Sequence, residues 1–264
     1  MAGFDVIDLR YRELYDRAVE TLGSDPRVVR IDVSGSVASE TADRWSDLDL
    51  SVIARPEHHA SLVSDWPQWL AAITPTVFAR TPIAPFIINS VTSDGLTFDV
   101  AVWSGAAFEP PTSNAFTVGM LSGVRFDHIG PALDYAVAEQ LRGLVGPFIS
   151  LLQRNEHMRH LTGVPHLLGL LTTVFLAETG NAQPGKHWNA AFTPEQEATV
   201  AKLPPVRANR EDLIAFGLGV AEIIVRRARP LFPRFGLEWP SALAEVAAAR
   251  IETELGLGTS DWLY

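Results

Sequence analysis

The chain has 264 residues, 47% of them hydrophobic and 20% charged, and a net charge of −10. That composition excludes a disordered or low-complexity protein and is enough for two domains. The absence of cysteine excludes disulfides and thiolate metal sites and, with an N-terminus "MAGFDVIDLR" that carries no basic start before an apolar run, leads to the expectation of a cytoplasmic protein.

Residues 7–22 mix apolar and charged positions at helical spacing, and Gly23 can end that helix. "VVRIDVSG" (28–35) reads as a strand and 36–40 as a short helical turn. "SDLDLSVIA" (46–54) is a second strand, with Leu48, Leu50 and Val52 on one face and Asp47, Asp49 and Ser51 on the other. A helix over 57–73, interrupted near Pro67, precedes a hairpin over 86–103. Asp94-Gly95 is its turn signature, and a two-residue loop there sets Ser90 opposite Asp99. After a loop holding Pro110-Pro111, 124–131 is expected as one more strand.

From there the pattern is helical: 132–145, 148–179, 194–203, 210–229 and 241–255. "TPEQ" (193–196) combines a Thr cap, a Pro in the first turn and a Gln three residues after the cap. The apolar stretch 161–177 contains Pro165 and His166 and is short for a membrane span, so it is expected as a core helix. The chain therefore divides near 147. Residues 1–147 form an α/β (α+β) domain with a small mixed sheet, and 148–264 form an all-α helical bundle. The first segment holds 19 acidic and 10 basic residues, the second 12 and 11. An acidic first half favours cationic ligands and disfavours nucleic acid or an anionic membrane.

Asp47 and Asp49 stand two apart on one strand and so share a face, with Asp99 on a neighbouring strand. Three carboxylates on one face repel and raise one another's pKa values. A divalent cation reverses that balance, and oxygen-only ligands point to Mg²⁺, bound through carboxylates and substrate phosphates. Gly35 permits close backbone approach to a ligand, and Ser36 offers a hydroxyl and an N–H at a strand-to-helix turn. Separately, a Gly-Ser pair and an Asp-x-Asp are common; their order along the chain carries the signal.

That order resembles the nucleotidyltransferase superfamily to which DNA polymerase beta belongs. Its hallmark is Gly-Ser, about ten residues, Asp-x-Asp, and a third acid on a later strand. "GSVASETADRWSDLDL" (35–50) and "GLTFDVAVW" (95–103) carry the likeness, and the helical second half resembles antibiotic-modifying members such as aminoglycoside nucleotidyltransferases. The resemblance implies Mg²⁺-dependent transfer of a nucleoside monophosphate, from ATP or another nucleoside triphosphate, to a hydroxyl of a small molecule, with release of pyrophosphate. Asp47 and Asp49 would bind Mg²⁺, and Asp99 a second Mg²⁺ or the acceptor's proton. Gly35 and Ser36 would contact the β- and γ-phosphates. The acceptor would be a small hydroxylated, cationic molecule of the aminoglycoside type.

Many small members carry a basic residue and a Gly after the Gly-Ser, where this chain has Ser39 and Glu40, so a cation from elsewhere gains importance. Lys186, in "QPGKHWN", resembles the lysine that antibiotic nucleotidyltransferases present to the phosphates from the helical domain. Glu156 and Glu178 are further candidates for a general base. His157 and His160 share a helix face but bring no further zinc ligands, and Trp45 is a candidate for the cleft wall. Two other readings stand beside this one: a non-catalytic, antitoxin-like partner on the same scaffold, and an enzyme that nucleotidylates a protein.

Overall fold

The computed structural model describes residues 2–81, 84, 86–105, 126–180 and 190–263. Its chain divides into two compact units, Met1–Val118 and Gly119–Tyr264. The helix Ile129–Val145 falls in the second, whereas the expected boundary near 147 groups it with the sheet.

The first unit is α+β. In chain order it contains α1 (Leu9–Gly23), β1 (Val28–Val33), α2 (Gly35–Ala38), β2 (Leu48–Ala54), α3 (His59–Ser64), α4 (Trp66–Ile73), β3 (Thr76–Arg80), β4 (Ile87–Thr92) and β5 (Thr97–Ser104). Asp8 caps α1 by accepting from the Arg10 N–H, and the helix buries Tyr11, Leu14, Ala18 and Leu22, one stripe at helical spacing. Among the described residues, five strands form one mixed sheet in the order β1-β2-β5-β4-β3, in which β2 and β5 are parallel and the other neighbours antiparallel.

Alternation decides the two faces. Leu48, Leu50 and Val52 of β2 and Phe98, Val100 and Val102 of β5 are buried in one core with Leu14, Leu22, Leu70 and Ile73 of the helices. Asp49, Asp99 and Ala101 stand on the opposite face and are only half-buried. Burying one apolar face against helices therefore commits the intervening acids to the other.

Two expectations are corrected here. The strand β3 was not anticipated; Thr76, Val77 and Phe78 have the β-branched and aromatic character that signals it. The hairpin loop has three residues, Ser93 to Gly95, with Thr92 paired to Leu96 and Gly95 in the left-handed region at φ 84°. A three-residue loop moves the register by one, so Asn89, and not Ser90, lies opposite Asp99. Ser90 turns to the buried face and donates to the Phe98 carbonyl.

The second unit is helical: α5 (Ile129–Val145), α6 (Pro147–Gln153), α7 (His157–Thr162), α8 (Val164–Thr179), α9 (Pro194–Val200), α10 (Arg210–Ala228), α11 (Ser241–Leu255) and α12 (Ser260–Leu263). The helix α5 packs against α8, α10 and α11, with Leu133, Val137 and Leu141 buried. Residues 126–128, inside the strand expected over 124–131, are not extended into a sheet, and Ile129 already begins α5.

The single helix expected over 148–179 is three helices. Asn155 ends α6 at φ 57°, with its N–H donated to the Leu152 carbonyl and the Glu156 N–H to the Leu151 carbonyl. That pair of bonds is a Schellman ending, which asparagine tolerates in place of glycine. Gly163 then separates α7 from α8, and Pro165 occupies the first turn of α8. The run His157–Thr179 is long and apolar enough by composition to cross a membrane, but α8 buries Leu170, Leu171 and Val174 to Ala177 within the unit. The box at Thr193 forms as expected, its hydroxyl accepting from the Gln196 N–H while the Gln196 side chain accepts from the Thr193 N–H.

Candidate active site

The register of β2 on β5 sets Asp49 directly opposite Asp99. Paired residues on adjacent strands point to the same face, so the two carboxylates are neighbours by construction. The residue before β2, Asp47, joins them, and one carboxylate oxygen from each of the three lies within 4.8 Å of the others. All three are half-buried. Among the described residues no other group of three His, Asp or Glu converges in this way.

Electrostatics record the crowding. Burial, reinforced by the charges of Asp47 and then Asp99, pushes the Asp49 carboxyl up to about 7. Near neutral pH the cluster therefore hesitates to hold its full negative charge unless a cation accompanies it.

The turn before Asp47 is braced by Asp43. Its carboxylate accepts from the Trp45 N–H at 3.0 Å and from the Ser46 hydroxyl at 3.1 Å, while its own N–H donates to Ser46 Oγ at 3.0 Å. Asp43 was not singled out in the sequence, although "DRWS" has the spacing of an Asx turn. Trp45 is half-buried, with the Arg44 guanidinium 4.7 Å above its ring.

Gly35 and Ser36 open α2, and β1 brings them beside β2. The Ser34 N–H donates to the Asp49 carbonyl at 2.9 Å. Gly35 has φ 61°, and a Cβ added there would overlap the Asp49 carboxylate, meeting its Cγ at 2.7 Å. Next to it, Ser36 Oγ is buried without a hydrogen-bond partner. Such a group costs free energy unless something else in use satisfies it. The exposed Ser39 hydroxyl donates to the Gly35 carbonyl at 3.0 Å and so closes the turn.

One row crosses four strands at this level: Asp49 opposite Asp99, Asp99 opposite Asn89, Asn89 opposite Arg80. Asn89 Nδ2 donates to Asp99 Oδ2 at 2.5 Å. The sequence reading missed Asn89 because the shorter hairpin loop put Ser90 in its place.

Of the remaining sequence candidates, Glu156 and Glu178 belong to the second unit. Lys186 lies outside the described residues. Glu178 is held by Arg227 at 3.0 Å and by Gln196 at 2.7 Å. Glu156 is exposed at the start of α7. His160 is buried edge-on to the Phe148 ring, and burial, with His157 adding, pushes it below the usual histidine range. An apolar cavity of about 430 Å³ between α8 and α9 is lined by Leu168, Phe175, Phe192 and Val200. It contains none of the motif residues, and its one lining carboxylate is Glu197, so convergent chemistry is found on the sheet instead.

The donor set fits a hard divalent cation such as Mg²⁺. The ligands are all hard oxygens, as that ion requires.

No family model matches the chain, and no curated protein matches it. Among solved structures it is similar to an aminoglycoside 6-adenyltransferase from Bacillus subtilis, with a TM-score of 0.37 and 11% identity over 90% of this chain and 95% of that one. A likeness of that extent carries no argument about activity.

Proposed function

We propose that the chain is a Mg²⁺-dependent nucleotidyltransferase that moves a nucleoside monophosphate, AMP from ATP, to a hydroxyl of a small cationic molecule and releases pyrophosphate. The observation that carries this reading is the convergence of Asp47, Asp49 and Asp99 within 4.8 Å on the half-buried sheet face. The Gly-Ser turn beside Asp49 supports it, because a buried, unpartnered Ser36 hydroxyl is a donor ready for a phosphate oxygen.

In this reading Asp47, Asp49 and Asp99 hold the metal. When bound, Mg²⁺ supplies charge neutralisation for the triphosphate and for the leaving pyrophosphate. Ser36 donates its hydroxyl proton and backbone N–H to the terminal phosphates. Gly35 keeps the backbone close enough for that contact while leaving room for the Asp49 carboxylate. Asp43, through Trp45 and Ser46, fixes the turn that presents Asp47. The ion pair and amide contact on Glu178 favour a structural role for it over that of a general base. An excess of acids over bases in residues 1–147, 19 against 10, supports a cationic acceptor.

The test is calorimetric binding of Mg²⁺–ATP, followed by pyrophosphate release with a panel of aminoglycosides and simpler amino sugars. Mg²⁺-dependent release with one of these acceptors, absent in Asp49→Asn, is the expected result. Failure to bind any Mg²⁺–nucleotide overturns it in favour of a non-catalytic partner. Binding with pyrophosphate release only onto protein favours the protein-modifying alternative.

A further inference from the structure

We infer that Asn89 is a positioning residue for the acidic site, which orients Asp99 so that it presents a single oxygen to a divalent cation. The inference rests on the metal reading above and assigns a part to a side chain outside the acidic motif.

Three observations carry it. Asn89 lies directly opposite Asp99 on the adjacent antiparallel strand, so their side chains leave the sheet on the same face. The Asn89 Nδ2 donates to Asp99 Oδ2. Asp99 in turn lies opposite Asp49 and contributes one oxygen to the three-carboxylate cluster. An aspartate fixed at one oxygen by an amide loses the rotation about its terminal torsion, which is otherwise broad. It can no longer swing to offer both oxygens to one ion or turn away from Asp49.

The residue type matters as much as the contact. An arginine or lysine opposite Asp99 would hold it too, but would cancel the charge that draws a cation to the cluster. An aspartate would add a fourth repelling carboxylate. An amide donates a hydrogen bond and brings no net charge, so it fixes the ligand and leaves its affinity for metal intact. The backbone makes the assignment specific: only the three-residue hairpin loop brings Asn89 into the row, and Ser90, one residue on, is buried on the opposite face.

The experiment is Mn²⁺ binding, with the metal alone as probe, followed by calorimetry and by the electron paramagnetic resonance spectrum of the bound ion. Wild type, Asn89→Leu, Asn89→Ser and Asp99→Asn are compared, each first checked for a cooperative thermal transition. Loss of this supporting contact is expected to weaken Mn²⁺ binding about 10-fold or more in both Asn89 variants and to change the bound spectrum. Asn89→Gln, which keeps the amide donor, is expected to recover part of the affinity. If wild type binds Mn²⁺, Asp99→Asn weakens it, and both Asn89 variants bind as wild type does, the assignment of Asn89 is wrong while the metal site stands. If wild type shows no Mn²⁺ binding, or Asp99→Asn leaves it unchanged, the metal reading falls and the role of Asn89 falls with it. Should Asn89→Leu not fold, the serine variant decides by the same criterion.

Discussion

Gly35 and Asp49 compete for one volume: the space a side chain would fill at Gly35 is taken by the Asp49 carboxylate. Glycine is needed there twice over, for that contact and for its left-handed backbone at φ 61°. Gly35→Ala is therefore expected to push Asp49 out of the cluster. Strain at such a backbone position costs about 1–2 kcal/mol, which leaves the unit folded. Calorimetry should show Mn²⁺ affinity falling at least ~10-fold with the circular dichroism spectrum unchanged, and pyrophosphate release should be lost. Wild-type metal affinity in this variant would show that Asp49 does not depend on the glycine.

The Asp49 carboxyl also predicts how stability follows pH. Its folded-state value of about 7 lies above the ordinary 3.8, so between those values the folded protein holds a proton that the unfolded chain releases. Metal-free protein is thus expected to lose stability as pH rises from 4 to 7, by a ceiling of about 4 kcal/mol. Thermal melts in chelator should show the midpoint falling across that window. In Asp49→Asn the fall should shrink, and the variant should melt above wild type at pH 8, because repulsion with Asp47 and Asp99 is relieved. Added Mg²⁺ at pH 8 should raise the wild-type midpoint but leave Asp49→Asn nearly unmoved.

The motif and its strands were legible because burial enforces them. Leu48, Leu50 and Val52 must enter the core, and with a period of two that alone fixes which face Asp49 occupies. Asp99 was legible as a single acid between Phe98 and Val100. The register between strands was not. It hangs on whether the loop at Asp94-Gly95 has two residues or three, and the Thr92 pairing with Leu96 decided that through contacts a sequence does not display. The helical half shows the same division. The span Ser241–Leu255 is legible to the residue, because Pro240 and Gly256 bound it. Residues 148–179 look continuous in the sequence, since an Asn in a left-handed ending resembles any polar helix residue until its carbonyl partners are seen. No spacing in the chain pointed to Asn89.

That ending can be tested directly. At φ 57°, Asn155 occupies a conformation that costs a side chain other than Asn, Asp or Gly roughly 1 kcal/mol. Asn155→Gly is expected to hold or slightly raise the melting temperature, and Asn155→Ala to lower it by about 2–4 °C. If alanine were harmless, the break between α6 and α7 would not depend on a left-handed residue at this position.

Two glycines inside helices of the second unit should respond to the same substitution with opposite signs. Gly143 lies in the last turns of α5, and a Cβ there would meet nothing within 4 Å. Removing its backbone freedom in the unfolded chain and improving helix propensity should stabilise Gly143→Ala by up to about 1 kcal/mol. Gly217 lies within α10 and gains the same propensity on substitution, but its Cβ would enter the Phe148 ring, whose Cδ2 and Cζ would be 3.2 Å away. That ring is 7% exposed and is packed edge-on against His160, so it cannot withdraw without disturbing α7. Overpacking of this kind costs about 1–3 kcal/mol, which outweighs the propensity gain. Denaturant melts should therefore place Gly143→Ala above wild type and Gly217→Ala below it. A Gly217→Ala protein as stable as wild type would mean that the Phe148 ring is not fixed against α10.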